Sequence, residues 1–161
     1  MKIKLYNRDS AVNYAKTWAY NRNPIYYNFN NLGGDCTNFV SQCVYSGAEI
    51  MNYTPVLGWY YNNINDRTPS WSGVEFFYNF LVNNDGVGPI GRIVNFNSVE
   101  KADVIFLRRA NGELYHTLFV NGVENGQIYV SAHTFDVYNK NLFSYSFNQA
   151  VCVHIEHVNI P

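Results

Sequence analysis

Near residue 85 the spacing of the hydrophobic residues changes, and that change restricts the folds open to the chain. Before it, apolar residues recur at helical spacing. Ala11, Ala15, Trp18 and Ala19 form one stripe after Asp9. Phe39, Val40, Cys43 and Gly47 form a second, and Val74, Phe77, Tyr78 and Leu81 a third, to about Val82. Pro24 keeps Asn23 out of the helical region and so closes the first. Ser72-Gly73-Val74-Glu75 has the spacing of a capping box ahead of the third. Residues 48–70, with two prolines and many polar turn residues, read as a long loop. Asp85-Gly86, Gly88-Pro89 and Gly91 then break the helical pattern. Short strand-like runs follow over 102–107, 114–123, 127–134 and 151–155. Helices first and an antiparallel sheet second predict an α+β fold. With 161 residues, no repeat and no linker, one domain over 1–161 is expected.

Composition excludes several classes of function. The formal net charge is −1 and no Lys/Arg run occurs, which argues against nucleic acid as a partner. No apolar stretch is long enough to span a membrane, and the first residues lack a signal-peptide run. Cytoplasmic residence, or origin as a piece of a longer secreted protein, are both open at this stage. Aromatic residues reach 17%, with 14 Tyr, which suits a half-apolar, half-wet groove for a peptide or sugar as well as it suits a core. Three cysteines make no disulfide framework, and no Cys/His cluster has zinc spacing, so no metal or cofactor is expected.

Chemistry concentrates at Gly33-Gly34-Asp35-Cys36. The glycines permit a tight turn and close approach to the backbone. Asp35 is a good N-cap, expected to accept from first-turn amides. Cys36 then falls in the first turn, where free N–H groups and the helix dipole favour a thiolate. Its own N–H could form half of an oxyanion hole. Cys43 and Cys152 read as core.

Asn125-Gly126 is the preferred pair for a two-residue type I′ hairpin. That turn pairs Glu124 with Gln127 and, carried along the ladder, Leu118 with His133. His116 becomes the diagonal neighbour of His133 on the same face, roughly 7–8 Å away. A turn at Asn121-Gly122 would break this register but would strand Glu124 to Gly126. Cys36 as nucleophile, His116 as base and His133 as orienter of the base would make a nucleophilic triad. Asp136 is a rival orienter, though it lies beyond the strand. Asp103 reads as a turn or strand-start residue. His154, Glu156 and His157 read as solvated edge residues, because the strand period separates the two histidines. Trp59 and Trp71 suit either the rim of a groove or the core.

Tyr6-Asn7-Arg8, Asn23-Pro24, Tyr26 or Tyr27, Gly34 through Cys43, Trp71, Tyr115-His116-Thr117 and Ser131-Ala132-His133-Thr134 together resemble the bacterial putative amidase domain. That family is grouped with NlpC/P60-like and CHAP-like cysteine peptidases. The resemblance covers most of the chain. It departs at Ala102-Asp103, where Gly-Asp is frequent.

The resemblance implies a papain-like core, a helix bearing the nucleophile Cys36 packed on an antiparallel sheet bearing His116, with His133 as third residue. It implies hydrolysis of an amide, often in peptidoglycan or similar peptides outside the cell; a monomer without cofactor is expected. Asp35, Tyr26, Tyr27, Trp59 and Trp71 are then candidates for oxyanion or substrate contacts. Two further functions stay open: a wall- or glycan-binding module with a dead site, and acyl transfer by the same Cys/His chemistry.

Overall fold

The computed structural model describes residues 1–161. The strands are β1 (Lys2–Lys4), β2 (Tyr61–Asn63), β3 (Asp66–Arg67), β4 (Gly88–Val94), β5 (Val104–Arg108), β6 (Leu114–Glu124), β7 (Gln127–Ala132), β8 (Val137–Asn141) and β9 (Gln149–Ile160). The helices are α1 (Arg8–Trp18), α2 (Cys36–Ala48), α3 (Pro69–Ser72) and α4 (Val74–Asn83). Seven strands form one antiparallel sheet in the order β1-β9-β5-β6-β7-β8, and β4 pairs along the other side of β9. The fold is α+β.

Alternation along β5 shows how the sheet divides the core. Val104 and Phe106 face the helices, together with Phe119 and Val153. Ile105 and Leu107 face the other way and pack with Leu118, Val120, Ile128 and Cys152. Leu142 closes this second cluster from the segment after β8. α1 approaches α2 closely because Ala11, Ala15 and Ala19, all fully buried, offer only methyl groups. Gly47 completes the approach from α2: a Cβ there would come within 2.6 Å of the Asn7 carbonyl.

α2 is the pivot of the molecule, and its polar residues are as buried as its apolar ones. Each of them is hydrogen-bonded, as burial requires. Thr37 meets Thr117 of β6 at 2.8 Å. Asn38 donates to the Tyr27 carbonyl and accepts from Trp71 Nε1. Ser41 accepts from Trp59 Nε1, and Gln42 from the Tyr14 hydroxyl. The polar half of the Cys36–Cys43 segment is thereby explained by packing: it ties the helix to five neighbouring residues.

Asparagine has a comparable structural use. Asn28, Asn52, Asn63, Asn84, Asn95 and Asn141 each accept, through the side chain, from the backbone N–H two residues on. These are Asx turns, which an amide oxygen supports as a carboxylate does, without adding charge.

Several expectations are corrected. The segment 48–70 is not wholly loop, because β2 and β3 form a small hairpin in it. The capping box does not form: Gly73 is the N-cap of α4, and Glu75 instead accepts from the Leu114 N–H of β6. β1, β4 and β8 add strands beyond the four anticipated runs.

Candidate active site around Cys36

Cys36 is the first residue of α2. The first intrahelical bond runs from the Phe39 N–H to the Asp35 carbonyl at 3.0 Å, so the amides of Cys36, Thr37 and Asn38 precede the ladder. Gly33 and Gly34 enter the helix at φ 84° and 98°, a region that glycine occupies without steric cost.

Asp35 does not cap the helix with its side chain. Its fully buried carboxylate reaches backwards and sideways instead. It accepts from the Phe29 N–H and from Asn38 Nδ2, and His133 Nδ1 donates to it at 2.5 Å. Arg22 Nε lies 3.4 Å away. Burial alone would raise the carboxyl pKa; the bonds from His133, Asn38 and Phe29 outweigh burial and hold it below its ordinary value.

His133 is buried, with its ring stacked on Phe39 at 4.1 Å between centroids. Its Nε2 lies 2.9 Å from the Trp18 carbonyl and 3.2 Å from Arg22 Nη1. Arg22 also forms a two-pronged pair with Asp136, both bonds at 2.9 Å. Both ring nitrogens of His133 are therefore engaged, and Asp136 serves Arg22 rather than a histidine.

The hairpin turn forms as the sequence indicates, with Glu124 opposite Gln127. The register does not persist. Asn121 is an extra residue, a bulge between Val120↔Val130 and Gly122↔Tyr129, and its side chain hooks onto Ser131 of β7. A one-residue slip exchanges the faces of every residue beyond it. A second bulge at Tyr115 separates Leu107↔His116 from Arg108↔Leu114. His116 shares the face of Leu107 and lies near Tyr145, whereas His133 lies on the helix face against Phe39. The expected side-by-side histidine pair is corrected on this ground.

Cys36 is 7% exposed. Its Sγ lies 3.8 Å from Thr37 Oγ1, and Thr37 in turn meets Thr117 at 2.8 Å. Burial pushes the thiol pKa up, and the bonds from Thr117 and Thr37 offset this only in part. His116, one residue before Thr117, is lowered to about 4 by burial and then by Lys140. No hydrogen bond joins its ring to Cys36. Thiol and imidazole are thus both neutral near pH 7 and lie on opposite faces of β6.

The remaining candidates fall into place around this centre. Trp59 and Trp71 are fully buried with ring centroids 5.0 Å apart, so they are core and not groove rim. Tyr26 stacks on Trp71 at 5.8 Å, and burial raises its hydroxyl pKa to about 12. Tyr27 is 44% exposed on the loop before Cys36, and its N–H donates to the Tyr61 hydroxyl. Cys43 and Cys152 are buried in the two clusters. Asp103 is fully buried, pairs with Arg8 at 2.8 Å and with His154 Nδ1 at 3.0 Å, and so removes His154 from the solvated edge. No group of three His, Cys, Asp or Glu residues is placed to hold a metal ion.

Comparison with known proteins decides the family: the model of the putative amidase domain matches residues 5–155. The chain belongs to the putative amidase domain family. This amidase-like domain is 30% identical over 135 residues to the uncharacterized protein YhbB of Bacillus subtilis (strain 168), covering 81% of this chain and 42% of that one. It is 28% identical over 140 residues to the uncharacterized protein YjcM of the same organism, covering 82% and 32%. The domain thus spans less than half the length of these relatives. No solved structure matches it. No helix in it is long and apolar enough to cross a membrane.

Proposed function

We propose that the domain is a cysteine-dependent amidase whose nucleophile is Cys36 and whose substrates are cell-wall peptides outside a bacterial cell. Residues 1–161 would act as one monomeric catalytic domain of papain-like plan, in the NlpC/P60 and CHAP group. The carrying observation is the place of the thiol: first residue of α2, beside amides without intrahelical acceptors, behind a double-glycine turn. Those amides are suited to an oxyanion. The Tyr26 hydroxyl, protonated at any physiological pH, and Tyr27 are the candidates for a second donor.

In this reading the Cys36 sulfur attacks the amide carbonyl carbon, giving a tetrahedral oxyanion. The C–N bond breaks, the thiol proton passes to the leaving amine, and a thioester remains. Water then attacks the thioester, releasing the acid and restoring the thiol. His116 is the proposed proton carrier. It reaches the sulfur only after the Tyr115–His116 end of β6 re-pairs on β5, where the bulge already supplies an extra residue. Leaving its buried surroundings would also return its basicity towards the ordinary histidine range. His133 is assigned to positioning: through Asp35 it fixes the backbone that presents Cys36.

One observation favours a second reading, a wall-binding module without turnover: the thiol is held protonated and touches no imidazole. Digestion of defined peptidoglycan fragments by wild type and Cys36→Ala, read by mass spectrometry, separates the two. A new amine and acid terminus made by wild type alone supports hydrolysis. Intact fragments that bind both proteins equally support the binding module, and a product carrying an added amine indicates acyl transfer.

A further inference from the structure

The six arginines fall into two groups. Arg8 pairs with Asp103, Arg22 with Asp35 and Asp136, Arg92 with Glu156, and Arg109 with Glu113. Arg67 and Arg108 have no acidic partner, and the buried Nε of each meets no acceptor; Arg22 Nε is likewise unmet, but the other nitrogens of Arg22 pair with Asp136. A guanidinium offers five N–H donors in a fixed plane, and leaving buried donors unmet costs free energy.

Both connect to the Cys36 segment through intervening residues. Arg67, at the end of β3, holds its guanidinium carbon 4.7 Å from the centre of the Phe29 ring. Phe29 donates its N–H to Asp35 and accepts from the Gly34 N–H, so Arg67 rests on the loop that leads into the nucleophile. Arg108 ends β5 on the side that faces the helices, two residues beyond Phe106. Phe106 pairs with Thr117, and Thr117 touches the first turn of α2. One arginine is therefore linked to the start of α2 through the loop and the other through the sheet.

We propose that Arg67 and Arg108 are carboxylate-binding residues flanking Cys36, so that its substrates are peptides carrying carboxylates beside the amide that is cut. This rests on Cys36 as the reactive centre. The planar fork of arginine matches both oxygens of a carboxylate, which the point charge of lysine does not. With a net charge of −1, the chain as a whole exerts no attraction on an anion, and recognition has to be local. The positive end of α2 adds to the attraction at the same place.

The test uses the full chain bearing Cys36→Ala, so that affinity is read without turnover. The probes are stem tetrapeptides of peptidoglycan with free carboxylates, and the same peptides with every carboxylate converted to a primary amide. Titration calorimetry should show the free-carboxylate form binding about tenfold or more tightly, a preference that weakens as salt rises. Arg67→Gln and Arg108→Gln, each in the Cys36→Ala background, should remove most of the preference and leave affinity for the amidated form unchanged. Arg67→Lys should retain part of it. Equal binding of the two forms, binding of neither, or a preference intact in both glutamine variants overturns the proposal. Should Arg108→Gln fail to fold, Arg67→Gln decides alone. Cleavage by wild type is scored separately. Absence of cleavage would count against the amidase reading while the binding preference still decides this one.

Discussion

His133 Nδ1 donates to the Asp35 carboxylate at 2.5 Å across 98 residues of sequence, and this bond fixes the backbone in front of Cys36 where no side-chain cap does so. Removing the imidazole leaves a buried carboxylate short of its strongest partner. His133→Ala should cost about 3–5 kcal/mol in denaturant unfolding. Under conditions where it stays folded, turnover should fall while the pH dependence of the reaction keeps its shape, since the proposed role of His133 is to position Cys36 and not to shuttle the proton. A loss of stability below about 1 kcal/mol would contradict the structural role.

Thiol reactivity follows from burial. The Cys36 thiol is pushed up from its ordinary value, first by burial, so the free protein holds little thiolate at pH 7. Alkylation by iodoacetamide should modify Cys36 ahead of Cys43 and Cys152, both of which are more deeply buried. The rate should climb steadily above pH 8 without a plateau near neutrality. Peptide mapping at a series of pH values reads both features, and equal labelling of all three thiols would argue against a singular Cys36.

Acid stability carries a signature of His116. Its pKa is lowered to about 4 from the ordinary 6.5, by burial and then by Lys140. Between those values the unfolded chain binds a proton that the folded chain does not, so stability falls as pH drops through that window. The loss should approach roughly 2–3 kcal/mol by pH 4. Asp35, held below its ordinary value, adds a further loss as pH falls through its folded value. His116→Gln should flatten the profile between pH 6.5 and 4 and leave the Asp35 part below it, as measured by urea unfolding.

The two histidines show where sequence reading succeeds and where it stops. Asn125-Gly126 announces its turn because the required backbone favours those residues, and Glu124 pairs with Gln127 as the turn demands. Asn121 gives no comparable mark. Its bulge is fixed by a hydrogen bond to Ser131 on the next strand, and one extra residue is enough to put His116 and His133 on opposite faces. Asp35 is a similar case. Its type and position fit an N-cap, yet a buried imidazole 98 residues away competes successfully for the carboxylate. The helical stripes, by contrast, are legible because each buries one apolar face, that of α1 mainly against α2 and those of α2 and α4 against the sheet. The short strands β1 and β4 owe their pairing to β9 rather than to any pattern of their own.

Trp71 tests the distinction between core and groove. It is fully buried, stacked on Tyr26 and tilted against Trp59, and donates to Asn38 of α2. Trp71→Phe strands the Asn38 carbonyl oxygen and should cost about 1–3 kcal/mol by thermal or chemical unfolding. The KM for any peptide should stay within about twofold at temperatures where the variant is folded. A large rise in KM without loss of stability would return Trp71 to a substrate groove.

The central claim is that an acyl group passes through the Cys36 sulfur, and intact-mass spectrometry of acid-quenched reactions tests it most directly. Wild type mixed with peptidoglycan stem peptides should show a transient mass gain equal to the acyl fragment, mapped by digestion to Cys36 and absent from Cys36→Ala. Cleavage by Cys36→Ala at the wild-type rate, with no adduct on wild type, would contradict the account.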